Sequence, residues 1–197
     1  MKKLLSLLLL LSFTIKAQDV TIGTQIWTSK NLDVTKYRNG DAIPQVQDKN
    51  AWAKLTTGAW CYYQNKAANG IKYGKLYNWY AVNDSRGLAP KGYHIPSETE
   101  WTILTDNLGD YDGTKMQSTT GWDSGNGTNT SGFSALPVGS LSTNGNFSNI
   151  GSGGDWWSSS EASASMAWSR DLNDYFGGPH SYDNDKRDGF SVRCIKD

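Results

Sequence analysis

Apolar residues in this chain come in short bursts, and most bursts alternate with polar neighbours instead of recurring every third or fourth position. Alternation sends successive side chains to opposite faces of an extended strand. On that rule Val20–Trp27 is a first strand, with Val20, Ile22 and Ile26 set among Thr and Gln. Ala59–Tyr63 is a second, carrying Trp60 and Tyr62 on one face and Cys61 on the other. Further strands are predicted over Phe133–Leu141, Gly154–Ser160 and Ala164–Leu172. In the last, Met166, Trp168 and Arg170 share one face, and Ala167, Ser169 and Asp171 the other. Phe190–Ile195 closes the chain as a final strand, and Asn39-Gly40 marks a tight turn earlier on.

Helical spacing is rarer. Ala51–Leu55 reads as a short helix, and Leu76, Trp79 and Tyr80 give Lys75–Val82 helical spacing, stopped before Pro90. The clearest helix is Ser97–Leu108. Pro96 holds the chain extended before it, Ser97 sits at the N-cap, and Glu100 follows three residues later, the spacing of a capping box. Trp101, Leu104 and Leu108 form its apolar stripe, and Gly109 is placed to end it. Glu100 is thereby read as a capping residue in preference to a catalytic acid. Two long polar stretches, 110–131 around Trp122 and 173–189, are expected to be loops. Helices in the first half followed by short strands predict an α+β domain.

The first residues change the compartment. Lys2 and Lys3 precede an apolar run from Leu4 to Ile15 and a small residue, Ala17, which is the layout of an export signal too short for a membrane span. Residues 1–17 are therefore expected to be a removable leader, and 18–197 a single exported domain, secreted or held in the periplasm or at the cell surface. Removing Lys2, Lys3 and Lys16 takes the 19 basic residues to 16 against 19 acidic ones, a net charge of −3. That balance argues against nucleic acid as a partner. Nine Trp, ten Tyr and 21 Gly describe a loop-rich fold with an aromatic core. Cys61 and Cys194 are the two cysteines, and an oxidising compartment predicts one disulfide between them, worth roughly 4–5 kcal/mol for so long a loop.

The Gly92–Gly109 stretch, GYHIPSETEWTILTDNLG, resembles the helix motif of formylglycine-generating-enzyme-like (sulfatase-modifying-factor-like) domains. The whole of Val20–Lys196 is similar to a relative of these, the Fibrobacter succinogenes major paralogous domain, through IGTQIWTSKNLDVTKYRNGDAIP, AWCYYQN, YGKLYNWYAV, GYHIPSETEW, FSALPVGS, GDWWSSSE and GFSVRC in order. The resemblance implies a C-type-lectin-like fold: two helices, short antiparallel strands and long loops. The formylglycine-generating enzymes use a reactive cysteine pair near the C-terminus. Only Cys194 stands there in this chain, so the resemblance does not carry that oxidase activity over.

Candidate binding residues follow from the aromatic and acidic positions. Trp156 and Trp157 are adjacent on a predicted strand and must face opposite ways. Trp157 is assigned to the core and Trp156 to stacking on a ligand, with Glu161, Asp171 and Asp174 beside it. Asp183, Asp185 and Asp188 are candidate calcium ligands, since calcium takes several oxygens, although the solvated-loop reading stands against it and Asp183-Asn184-Asp185 lacks the Glu that completes an EF-hand loop. No cofactor is otherwise indicated. His94 and His180 are the only histidines and form no H-x-x-x-H pair, which gives a transition-metal site little support; His94 reads as structural, and Arg170 and Arg193 as partners of internal acids. The expectation is a non-catalytic exported module that binds an extracellular ligand, a glycan first, with binding of surface proteins as the alternative.

Overall fold

The computed structural model describes residues 19–109, 112–175 and 178–197. The expected leader, residues 1–17, lies outside them. The elements in order are β1 (Asp19–Ile22), β2 (Gln25–Thr28), α1 (Lys49–Trp52), β3 (Trp60–Cys61), α2 (Ala67–Tyr73), β4 (Leu76–Tyr77), α3 (Trp79–Val82), β5 (Tyr93–His94), α4 (Glu98–Leu108), β6 (Ser140–Leu141), β7 (Phe147–Ser148), β8 (Gly153–Glu161), β9 (Met166–Asn173), β10 (His180–Asp185) and β11 (Ile195–Lys196). Among the described residues the result is mixed α/β, with four α-helices and mostly short antiparallel strands.

The longest helix forms as its sequence dictates. Ser97 accepts from the Glu100 amide at 3.3 Å, and the Glu100 carboxylate accepts from the Ser97 amide at 2.8 Å. Trp101 and Leu104 are buried, Leu108 packs at the margin, and Gly109 caps the end. His94 brackets this cap, its Nε2 2.8 Å from Glu100 Oε1 and its Nδ1 2.8 Å from Asp197 Oδ1. Glu98 ties α4 to the sheet below, accepting from Arg170 Nη2 at 2.5 Å and from Ser181 Oγ at 2.7 Å.

Elsewhere the elements are shorter than their sequence patterns. Val20–Trp27 is a hairpin, because Gly23 takes φ +60° at the first turn position and lets β1 fold back on β2 with Val20 opposite Trp27. Lys75–Val82 is strand β4 followed by one turn of α3, since Asn78 leaves the strand and accepts from the Ala81 amide as an N-cap. The stretch 133–141 bends at Ser134, φ +57°, so only Ser140–Leu141 pairs as strand. In the other direction, 173–189 contains β10, an edge strand whose sequence HSYDND shows no apolar alternation.

β8, β9 and β10 form an antiparallel meander; β1, β2, β11 and β5 form a second sheet in the order β1-β2-β11-β5. The C-terminal segment joins the parts. Phe190 exchanges backbone hydrogen bonds with Tyr77, Ser191 links to Asp155 and Trp157, and Ile195 pairs with Trp27 and His94. Among the described residues, three apolar clusters fill the interior. One holds Trp60, Tyr77, Trp79, Trp157, Val192 and Cys194. The second holds Trp27, Trp101, Phe133, Trp156 and Ile195. The third holds Trp52, Cys61, Leu76 and Leu141.

This arrangement overturns the expected disulfide: Cys61 and Cys194 are both buried free thiols. Strand alternation explains it. Trp60 faces the cluster that contains Cys194, so its neighbour Cys61 faces the cluster on the other side of β3.

Candidate functional site

Alternation also positions the last arginine. Phe190, Val192 and Cys194 enter one cluster, while Ser191, Arg193 and Ile195 point the opposite way. Arg193 is 1% exposed. Its guanidinium lies over the Phe133 ring, 4.4 Å from the centroid. Nε donates to Asn31 Oδ1 at 2.6 Å, Nη1 to the Thr28 and Phe133 carbonyls at 2.7 and 2.8 Å, and Nη2 to the Ser134 carbonyl at 3.1 Å. Every one of these acceptors is neutral, which corrects the expectation that Arg193 pairs with an acid. Arg170 does pair with one, Glu98. Burial holds the Arg193 guanidinium below its ordinary range, yet an arginine stays protonated at neutral pH.

Arg193 is the floor of a cleft of about 480 Å³. One wall is the segment after β2, with Ser29, Lys30, Asn31 and Asp33. The opposite wall is the end of α2, Gly70 to Gly74, and Ser134 with Leu136 completes it. Asn31 fixes the two walls together: its Nδ2 donates to the Tyr73 carbonyl at 2.9 Å and to Ser191 Oγ at 3.2 Å. Gly74 ends α2 at φ +79°, and a Cβ there would stand 3.0 Å from the Leu32 carbonyl oxygen and 3.1 Å from Asn31 Cβ. A larger residue would push the walls apart. Ile71, 91% exposed, stands on the rim.

Trp156 lies beneath this cleft, not on a surface. Both tryptophans of the pair are 0% exposed. They face opposite ways as the strand requires, but each face of β8 is covered: Trp157 enters the first cluster and Trp156 the second, so the expectation of an exposed stacking Trp156 is corrected. Trp156 Nε1 donates to Asn31 Oδ1 at 2.8 Å, the same oxygen that receives Arg193 Nε. The residue assigned to the ligand thus supports the floor of the cleft.

The other candidates are dispersed. Glu161 ion-pairs with Lys186. Asp174, after β9, accepts from the Ser124 amide at 3.1 Å. Asp183 is exposed on β10, and Asp185 is gripped by Arg187 at 2.7 and 2.9 Å, which holds its carboxyl below the usual range. Among the described residues no three of His, Cys, Asp or Glu gather to hold a metal ion. The expected calcium ligands are therefore not brought together, because β10 is extended and turns Asp183 and Asp185 outward along an edge.

Asp171 instead joins a row that the sequence did not reveal. Asp155, Asp171 and His180 stand in register across β8, β9 and β10, on one face. Burial, then the neighbouring Asp171 and Asp188 charges, pushes Asp155 up to about 8. Burial likewise raises Asp171, and takes Asp188 up to about 6. The thiols are inert by the same physics: burial pushes Cys194 up to about 12 and Cys61 higher still.

Such a chain, with its three aromatic clusters and its closing GFSVRC segment, belongs to the Fibrobacter succinogenes major domain family, whose model matches residues 20–196. No curated protein matches it. No helix among the described residues is long and apolar enough to cross a membrane.

Proposed function

We propose that the protein is an exported, non-catalytic binding module on a C-type-lectin-like scaffold, and that it takes an extracellular glycan in the Arg193 cleft. The observation that carries this reading is the cleft itself: a concave space of about 480 Å³ whose walls are fixed to each other through Asn31 and whose floor is a buried arginine. Preformed concavities with a few fixed polar groups are where small ligands bind. Burial of both thiols supports a role without cysteine chemistry. The alternative, a surface for other proteins, calls for a broad apolar patch. Of the exposed large apolar residues, Ile71, Ile103 and Tyr182 stand on α2, α4 and β10, and Ile150 and Tyr175 in two different loops.

A glycan array probed with the purified protein, in calcium and in chelator, tests the reading. We expect hits that persist in chelator and that weaken at least tenfold in Ile71→Glu, a rim substitution at an exposed position. Hits that survive Ile71→Glu unchanged, or an array without hits, would overturn it.

A further inference from the structure

We propose that the saccharide bound in this cleft is acidic, with a carboxylate or sulfate set against Arg193 and flanked by Lys30 and Lys72. The inference rests on the cleft being the binding site.

Charge is the first argument. The cleft is lined by Lys30, Lys72 and Arg193 against a single acid, Asp33, and Asp33 is already engaged by Lys75. Lys30 and Lys72 are exposed. The mature chain carries net negative charge, so three cations around one hollow run against the composition as a whole.

Arg193 supplies the second argument. A buried guanidinium with no carboxylate partner bears an uncompensated desolvation penalty. Its four hydrogen bonds all go to neutral oxygens. A guanidinium has five N–H donors, so one Nη2 N–H remains outside these four bonds among the described residues. An anionic oxygen entering the cleft supplies both the missing acceptor and the missing charge, and charge-assisted hydrogen bonds are about twice as strong as neutral ones.

The walls favour a sugar over a peptide. None of the lining residues belongs to a strand, so an extended peptide finds no sheet edge to join. What the cleft offers beside its cations is the remaining acceptor position of the Ser134 hydroxyl and the apolar side chains of Ile71 and Leu136. That mixture fits the hydroxyl rim and the C–H face of a pyranose ring.

The test is calorimetric titration of the purified protein with four probes: trigalacturonate, its fully methyl-esterified and hence neutral form, a sulfated disaccharide, and a tri-glutamate peptide. We expect one or both acidic sugars to bind, the ester to bind at least tenfold more weakly than trigalacturonate, and affinity to fall with added salt. The double variant Lys30→Glu/Lys72→Glu, on exposed positions, should lose at least tenfold affinity with an unchanged melting temperature. Arg193→Lys, checked for folding by circular dichroism, should weaken acid binding more than ester binding. Relative affinities of the carboxylated and sulfated probes identify the anion. Equal binding of acid and ester, sensitive to Ile71→Glu, sinks the acidic inference and leaves the cleft as a neutral-sugar site. Tighter binding of tri-glutamate than of either acidic sugar overturns the saccharide assignment. Full affinity in the double variant, or no binding of either acidic sugar, overturns the proposal.

Discussion

At the scale of single residues, the carbonyl oxygen of the Asn31 side chain is the junction of the cleft. It accepts from the indole of Trp156 and from the guanidinium of Arg193 while the amide nitrogen holds the α2 wall. A hydrogen-bonded buried tryptophan in this position contributes both packing and orientation. Trp156 also meets the Phe133 ring edge-on at 6.1 Å, and Phe133 in turn carries the Arg193 cation. Trp156→Ala should therefore destabilise the protein by about 3–5 kcal/mol in urea unfolding. Trp156→Phe should lose less, because most of the ring volume stays and Asn31 keeps its bond to Arg193. A Trp156→Ala variant as stable as the wild type would show that the indole is not a core group. The exposed Ile71 is the opposite case: its removal should touch binding and leave stability alone.

At the scale of elements, the meander β8–β9–β10 sets Asp155 and Asp171 side by side on one face. Asp155 is 3.8 in its ordinary state and about 8 here, so between these values the folded chain holds a proton that the unfolded chain has released. The stability that this proton confers is complete below about pH 4 and is lost as the pH rises through about 8. Asp188, at about 6, works in the same direction, as does Asp171. Asp155→Asn imitates the protonated carboxyl at every pH. We expect the variant to match the wild type near pH 4 and to melt higher at pH 9, by roughly 2–4 °C for each kcal/mol recovered. A variant that melts lower than the wild type at pH 9 would show that the Asp155 charge is not a burden there. The elements themselves were unevenly legible. The capping box announced α4 because its signal is local, held within Ser97–Gly109. β10 was hidden because an edge strand with a polar face has no alternation to read, and α2 because a seven-residue helix containing Gly70 draws its stability from tertiary packing. The cleft was hidden for a related reason: its parts come from positions 29–33, 70–74, 134–136 and 193, which only the fold brings together.

At the scale of the whole molecule, the C-terminal segment decides how the three clusters meet. Positions 189–196 bridge to Leu141, Tyr77, Trp156, Trp27 and His94, so one extended strip spans all parts of the core. Its alternation sends Cys194 into one cluster and Arg193 toward the cleft, while β3 sends Cys61 into a different cluster. Stability therefore comes from aromatic burial on both sides of this strip and not from a covalent link between its cysteines. Two consequences can be measured together. Reductant should leave the melting temperature unchanged, and a thiol reagent should modify Cys61 and Cys194 only after denaturation, since burial denies both access and the reactive thiolate form. A conventional disulfide would instead show a marked fall in melting temperature on reduction and no free thiol in denaturant alone. Serine at either position should retain the fold at some loss of stability, because a hydroxyl replaces a buried apolar sulfur. A single substitution that abolished folding by leaving its partner unbridged would return the covalent link to the account of this fold.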